Sequence, residues 1–428
     1  NSNFCITNVN IQDNIGYCSQ VVKIAGKVTS ILGEEMKDVQ VLLNNELERI
    51  TPENGKYEYT DLFKNTDYYI TASKQSHILS GISTQDALAL SKHILGIKAL
   101  DSPYKIIAAD INNNGKVTTA DLLALRRAIL QLDDKFPNNT SWRLVDANHV
   151  FPNPANPFTQ IIPEKITFDK LQTNKTDVNW VGIKVGDLNV SVNPNNANAT
   201  TVRNSSGTLE LTTDDIQLSA GYEYRIPIKS SDFQNVQGFQ YTLEYDAHNL
   251  EIMTVLPGAL KTMDENAIGN AFANEGKTGV SWIEPIQGNF EPNDVLFELV
   301  VKAKSNTLLS KTLSIGSTFL TAEAYNKQDE ILDVALKFNN NVASFDFDLE
   351  QNMPNPFEFE TSIPFTLASA SEVNIEIFDM LGNKIKTING LYGHLIFGNG
   401  TGFVCTNNSS TTQGFNCFHL FYDNPHFH

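Results

Sequence analysis

The stretch "DINNNGKVTTADLLALRRAIL", residues 110–130, carries two patterns in succession. Its first half spaces oxygen-bearing side chains around a glycine. A twelve-residue calcium loop takes ligands from positions 1, 3, 5, 7, 9 and 12 and needs glycine at position 6 for the sharp turn. Asp110 opens the series at position 1, Asn112 and Asn114 follow at 3 and 5, and Gly115 stands at 6. Lys116 at position 7 offers only its backbone carbonyl. Thr118 contributes at position 9, directly or through water, and Asp121 closes the loop at position 12. An all-oxygen set of this size suits Ca2+ rather than Mg2+, which keeps its waters. The same letters also spell an Asn/Gly turn with a helix cap, since Asx residues and glycine are common turn formers. Agreement at six positions, followed at once by a helical pattern, favours the metal loop.

The second half has a copy. "STQDALALSKHIL" (83–95) aligns with "TTADLLALRRAIL" (118–130) at an offset of 35, with identity at Thr84/Thr119, Asp86/Asp121, Leu88/Leu123, Ala89/Ala124, Leu90/Leu125, Ile94/Ile129 and Leu95/Leu130. Leucine and isoleucine recur at helical spacing, so each copy reads as an amphipathic helix. Ser83 or Thr84, and Thr118 or Thr119, suit the N-cap, and Gly96 fits just past the first helix. Packed face to face, the two helices bury stripes that neither could bury alone. The first copy lacks a matching loop. Counting back from Asp86 puts Gln75, His77 and Leu79 at positions 1, 3 and 5, so no acid opens it. One good Ca2+ site and one degraded site held by packing are expected, with His77 an ordinary surface-loop histidine.

The chain around this repeat has 428 residues, 41% of them hydrophobic, a formal charge of −18 and a pI near 4.8. That length suggests about two to four domains. The acidic balance argues against nucleic-acid binding, which needs a basic face. No apolar run reaches the roughly 18 residues of a membrane span. The sequence opens at Asn1 without a signal-peptide pattern, as a mature product or a fragment would. Cys5 and Cys18 lie near one end and Cys405 and Cys417 near the other. They read as two local disulfides or as free thiols, a weak pointer to an oxidising setting.

Elsewhere the reading is mainly β: several β-sandwich domains in a row, interrupted by the small helical module. "VVKIAGKV", "VQVLL", "GKYEYTDL" and "DYYITAS" are short strands between turn residues, giving a sandwich over 21–73 after the end of a preceding β domain at 1–20. "LNVSVNPNNANATTVRNSSG" (188–207) is poor in apolar residues and reads as a linker. Residues 208–340 read as a second sandwich. In its "FQYTLEY" (239–245), Phe239, Tyr241, Leu243 and Tyr245 share one face, and Gln240, Thr242 and Glu244 share the other. A short linker (341–348), a β segment (349–391) and an unassigned tail (392–428) follow.

Several segments resemble known families. Residues 21–73 resemble carboxypeptidase-regulatory-like or prealbumin-like modules of secreted proteins. The duplicated helix with its "D-x-N-x-N-G" loop resembles the dockerin module. With "FPNNTSWRLVDANHVFPNPANPF" and "WVGIKVGDLN" added, residues 74–187 resemble the dockerin-like region of large Bacteroidota surface proteins. "NVQGFQYTLEYD" followed by "LEI" is similar to cohesin-like domains. "QNMPNPF" and "VNIEIFDMLGNKI", with Leu381-Gly382-Asn383 as the turn, resemble the start of the C-terminal sorting domain of type IX secretion. The resemblances imply an extracellular or cell-surface protein, secreted through the outer membrane.

Signatures of catalysis are missing: no G-x-S-x-G, no H-E-x-x-H, no glycine-rich phosphate loop and no C-x-x-C. His419, His426 and His428 with Asp423 make a poor metal set. Trp142, Trp180 and Trp282 could form a carbohydrate platform but lie in separate segments, which favours core packing. The expectation is therefore a non-catalytic structural or adhesive subunit of an extracellular filament, stabilised by Ca2+. Its partners would be copies of itself joined head to tail, or related surface proteins. A scaffold or carbohydrate-binding subunit of a secreted polysaccharide-degrading complex, with a glycan as ligand, is the alternative. A dockerin-like module also has a simpler use, packing on a neighbouring sandwich of its own chain.

Overall fold

The computed structural model describes residues 20–196, 205–286 and 288–339, and the backbone of short strands between 348 and 420. Eight strands build the first unit: β1 Val21–Ser30, β2 Gln40–Leu43, β3 Leu47–Ile50, β4 Lys56–Phe63, β5 Tyr68–Ser73, β6 Trp142–Asp146, β7 Lys165–Phe168 and β8 Trp180–Lys184. They form two sheets, ordered β4-β1-β8-β6 and β3-β2-β5-β7. Ile24, Val28, Val41, Tyr59, Ile70 and Trp180 share the core between them. The sandwich expected over 21–73 is thus incomplete at residue 73. Three of its strands come from the region assigned to the helical module, and β8 pairs in parallel with β1, Trp180 opposite Val28. The join is tight. A Cβ on Gly26 would lie 1.7 Å from the Val178 carbonyl oxygen.

Between β5 and β6 stand three helices, α1 Thr84–Ile94, α2 Pro103–Ala109 and α3 Thr119–Ile129. Of the candidate caps, Ser83 and Thr118 serve. Each closes a capping box with the aspartate three residues on, Asp86 and Asp121 respectively. α2 was not legible as a helix. It starts at Pro103 behind the cap Ser102 and is only seven residues long. Leu88 and Leu90 of α1 share a core with Ile107 of α2 and Leu125 and Ile129 of α3.

The third unit comprises β9 Thr208–Asp214, β10 Gln217–Leu218, β11 Glu223–Lys229, β12 Val236–Tyr245, β13 Leu250–Pro257, β14 Ile268–Gly269, β15 Lys277–Ile283, β16 Val295–Ala303, β17 Thr307–Leu308, β18 Leu313–Gly316, β19 Glu323–Asn326 and β20 Ile331–Asn339. The strands run in the order β13-β16-β11-β9-β20-β19-β12-β15-β14, with β18 also on β12. β9 and β20 pair in parallel, which ties the start of the unit to its end. The expected face of Phe239, Tyr241, Leu243 and Tyr245 is in the core. The opposite face is not left to water: Gln240 and Thr242 are buried as well.

The first part of the expected linker, 188–196, packs on the fold. Leu188 is buried, Val192 packs on the first sandwich, and Asn195 bonds the Lys37 N–H and the Glu35 carbonyl. Residues 197–204 lie outside the described residues. Further on, in the expected β segment, Ser371–Phe378 and Lys384–Gly393 pair antiparallel on either side of the expected turn. Leu381, Gly382 and "QNMPNPF" are outside the described residues, as are Cys5, Cys18, Asp423, His426 and His428. The unassigned tail supplies two strands, Phe403–Asn407 and Phe415–Leu420, to a sheet with Glu360–Ile363, and the register sets Cys405 opposite Cys417.

Candidate metal centre and module contact

The loop expected to bind Ca2+ starts where α2 ends, with Asp110 as the C-cap. The Asp110 carboxylate folds back over its own turn. Its Oδ1 accepts the Asn114 N–H at 2.9 Å and its Oδ2 the Gly115 N–H at 2.9 Å. Gly115 has φ +76° and open space where a Cβ would be, so its backbone conformation is what calls for glycine there. Asp121 closes the ring from the first turn of α3. Its Oδ1 accepts the Asn112 N–H at 3.2 Å, and its Oδ2 accepts the Thr118 N–H at 2.9 Å. Thr118 Oγ1 caps the Ala120 N–H and also bonds Asp121, so its hydroxyl is engaged as a helix cap. The Asn114 side-chain oxygen accepts the Lys116 N–H. Asn139, which the sequence did not single out, holds the loop from outside by donating to the carbonyls of Asp110 and Ile111.

Two features fit a cation here. Asp110 and Asp121 are both fully buried, and among the described residues no lysine, arginine or histidine forms an ion pair with either. Burial pushes the Asp110 carboxyl above its ordinary value, the Gly115 and Asn114 N–H groups pull it back, the charge of Asp121 pushes it up again, and the more weakly felt Arg143 charge draws it down. The Asn112 side-chain oxygen is buried without a hydrogen-bond partner. Two facing carboxylates and an orphaned amide oxygen are a poor arrangement for an empty turn and a good one for a hard cation. Asp110, Asn112, Asn114, the Lys116 carbonyl and Asp121 would hold it, with Thr118 at second hand. The acid count is low: among the described residues no three or more His, Cys, Asp or Glu gather at a candidate metal position.

The first loop is built differently. Gln75 meets the Ser141 hydroxyl, and the exposed His77 ring only accepts the Leu79 N–H. Asp86 keeps its capping role through the Ser83 N–H at 2.8 Å. Its other oxygen accepts the N–H groups of Leu188 and Asn189, at 2.8 and 3.1 Å.

α1 also makes the contact with the third unit. The Thr84 N–H donates to the Gln240 side chain at 2.6 Å, and the hydroxyls of Thr84 and Ser281 are 2.6 Å apart. Lys92 and Lys98 both pair with Asp329, at 2.9 and 2.7 Å. Burial raises the Asp329 carboxyl, but the two ammonium groups outweigh it and hold the group below its ordinary value. Ile283, Leu320 and Tyr325 of the third unit belong to the same core as Leu88 and Leu90. At the far edge a Cβ on Gly269 would lie 2.2 Å from the Leu130 carbonyl oxygen. The other candidates disperse. Trp142, Trp180 and Trp282 are all buried and offer no platform. Asp133 forms a two-pronged pair with Arg127, and Asp215 accepts from the N–H and hydroxyl of Ser310.

The Dockerin type I domain family matches residues 81–130, which span α1, the metal loop and α3. Similar solved structures come from cohesin–dockerin work. A type I cohesin–dockerin complex from Clostridium thermocellum is 18% identical over 32% of this chain and 93% of its own, with a TM-score of 0.26. The sixth cohesin of scaffoldin B from Acetivibrio cellulolyticus, in complex with a dockerin mutant, is 19% identical over 31% of this chain and 100% of its own, with a TM-score of 0.24. The seventh ScaB type I cohesin from Pseudobacteroides cellulosolvens is 20% identical over 31% and 87%, with a TM-score of 0.22. No curated protein matches. The chain is thus mostly β, with a small helical dockerin-type region and cohesin-like structural neighbours. None of its described helices is long and apolar enough to cross a membrane.

Proposed function

We propose that this chain is a non-catalytic structural subunit of an extracellular assembly, most simply a filament. In it the dockerin-like helices are clasped by the cohesin-like sandwich of the same chain, and Ca2+ at Asp110–Asp121 braces the helical module from within. The observation that carries the clasp is the pair of short hydrogen bonds from Thr84 to Gln240 and Ser281. They are buried and flanked by the Lys92 and Lys98 pairs to Asp329. A head-to-tail polymer made through this pairing would need α1 to leave its own sandwich. Contacts between copies are better sought on other surfaces, first the strands after residue 348. The resemblance of 349–388 to a sorting domain supports export, and strand edges are ready templates for pairing. The glycan-binding alternative loses its main support with the burial of the three tryptophans.

The test is to image purified native material and to repeat the imaging with Ser281→Arg, which forces α1 off the sheet. Filaments that persist while the single-chain scattering radius grows support clasping within one chain. Filaments that vanish with Ser281→Arg support exchange between chains. Monomers alone in native material overturn the assembly. Turnover of glycans or peptides that is lost on changing one carboxylate or histidine would overturn the non-catalytic reading.

A further inference from the structure

The two loop–helix copies keep the same closing aspartate but surround it differently. In the second copy, Asp121 faces Asp110 across a turn whose buried amide oxygen, on Asn112, has no partner. In the first copy, Gln75, His77 and Leu79 have replaced the ligand side chains, yet Asp86 remains and is fully buried. A buried carboxylate left alone is costly, so something must stand in for the lost cation.

That group comes from a strand nearly a hundred residues later. Lys184, at the end of β8, is 2% exposed, and its ammonium donates to the Ile78 carbonyl inside the loop at 2.6 Å. The face of the Phe136 ring lies 5.9 Å from the same nitrogen. Burial pulls the Lys184 amine down to about 7, and the charges of two buried carboxylates, Asp187 first and then Asp86, work against that pull. Asp187 is held in turn by the Ser191 and Val192 N–H groups, both at 2.9 Å. The chain just after β8 also supplies the Leu188 and Asn189 N–H groups to Asp86. One short segment, Lys184–Val192, therefore brings an amine to the first loop, two N–H donors to Asp86 and a second buried carboxylate held by two more.

We infer that Lys184 is the built-in cation of the first loop, replacing the metal ion with an ammonium supplied by the chain. Two consequences follow. The protein binds one Ca2+, in the 110–121 loop. The helix that grips the cohesin-like sandwich, α1, is anchored without metal, so removing Ca2+ loosens the α2–α3 loop and leaves the clasp closed. This inference is independent of whether the protein forms filaments.

Native mass spectrometry of the full chain, titrated with CaCl2, should show one bound ion, and the same chain in excess EDTA none. The clasp is read separately. Cysteines introduced by Thr84→Cys and Ser281→Cys replace hydroxyls 2.6 Å apart. Peptide mass mapping of their disulfide should give yields within twofold with and without EDTA. Lys184→Met should lower Tm by roughly 5–10 °C without changing the ion count, because it strands buried carboxylates. Adding Asp86→Asn to that variant should restore part of the loss. If Lys184→Met does not fold, Asp110→Ala in the paired-cysteine chain answers instead: Ca2+ is lost and the disulfide still forms. Two ions per native chain, a disulfide that fails in EDTA or in Asp110→Ala, or a double variant no more stable than Lys184→Met would each overturn the inference.

Discussion

The backbone N–H of Thr84 ends on the side-chain oxygen of Gln240, 2.6 Å away and out of contact with water. Thr84 is the first residue of α1, where a helix has N–H groups with no partner of their own. The sheet of the third unit supplies the missing acceptor. The contact between the two units is thus made at a place where the helix needs one.

Gln240→Leu keeps the volume but leaves that N–H buried and unsatisfied. The expected loss is about 1–3 kcal/mol, the desolvation cost of one stranded donor. Gln240→Glu keeps the acceptor for Thr84 but loses the Nε2–H donated to the Thr321 carbonyl and buries a charge, so it should cost more. Urea unfolding of both variants checks the order. A Gln240→Leu chain as stable as the wild type would mean that the hydrogen bond is not what matters there.

The loop makes a contrast in Ca2+ binding. Asp110→Ala removes one of only two carboxylates and should abolish the calorimetric heat. Gln75→Ala, in the first copy, should leave it unchanged. Asn112→Ala, which deletes the orphaned oxygen, should weaken binding about tenfold. A native chain that gives no heat, or equal effects for Asp110 and Gln75, would remove the site.

Asp329 gives the clasp a pH dependence. Its carboxyl lies below its ordinary value of 3.8 in the folded chain, because two lysines outweigh the effect of burial. A depressed carboxylate contributes stability that is complete above the unfolded value and fades as the pH falls through the folded one. Acidification below about pH 3.8 should therefore release this contribution, and Asp329→Asn should remove it at every pH. The side chain is 42% exposed, so the effect after solvent screening is about 1 kcal/mol or less, and smaller at high salt. Unfolding midpoints measured across pH in both chains are the check. An unchanged difference between them from pH 7 to pH 3 would contradict it.

Gly269 tests the shape of the far edge of the contact. Any Cβ there meets the Leu130 carbonyl oxygen at 2.2 Å, and backbone cannot swing aside as a side chain can. Gly269→Ala should cost about 1–3 kcal/mol by pushing the end of α3 away from β14. Hydrogen exchange should show faster amides near Leu130 and unchanged ones in β1–β5. Wild-type stability would mean that the edge is loose.

The sequence by itself determined whatever depends on neighbours within about a dozen residues. The helix repeat, the capping aspartates, the left-handed Gly115 and the closure of Asp121 over Asn112 are all of this kind. Each uses donors and acceptors that a short count can line up. The inward face of β12 was legible for a similar reason, since alternation needs only the strand itself. Tertiary structure decided the rest. Gln240 and Thr242 alternate as a solvated face would, and nothing local distinguishes a face covered by water from one covered by α1 and by the Phe319–Leu320 segment. Trp180 looks like one more buried strand residue until β8 pairs with β1, about 150 positions earlier. Lys184 reads as an ordinary strand lysine, because the carbonyl it answers, on Ile78, lies about a hundred residues away. Polar groups can be satisfied equally by water or by protein, so their letters carry no sign of which one the fold will bring.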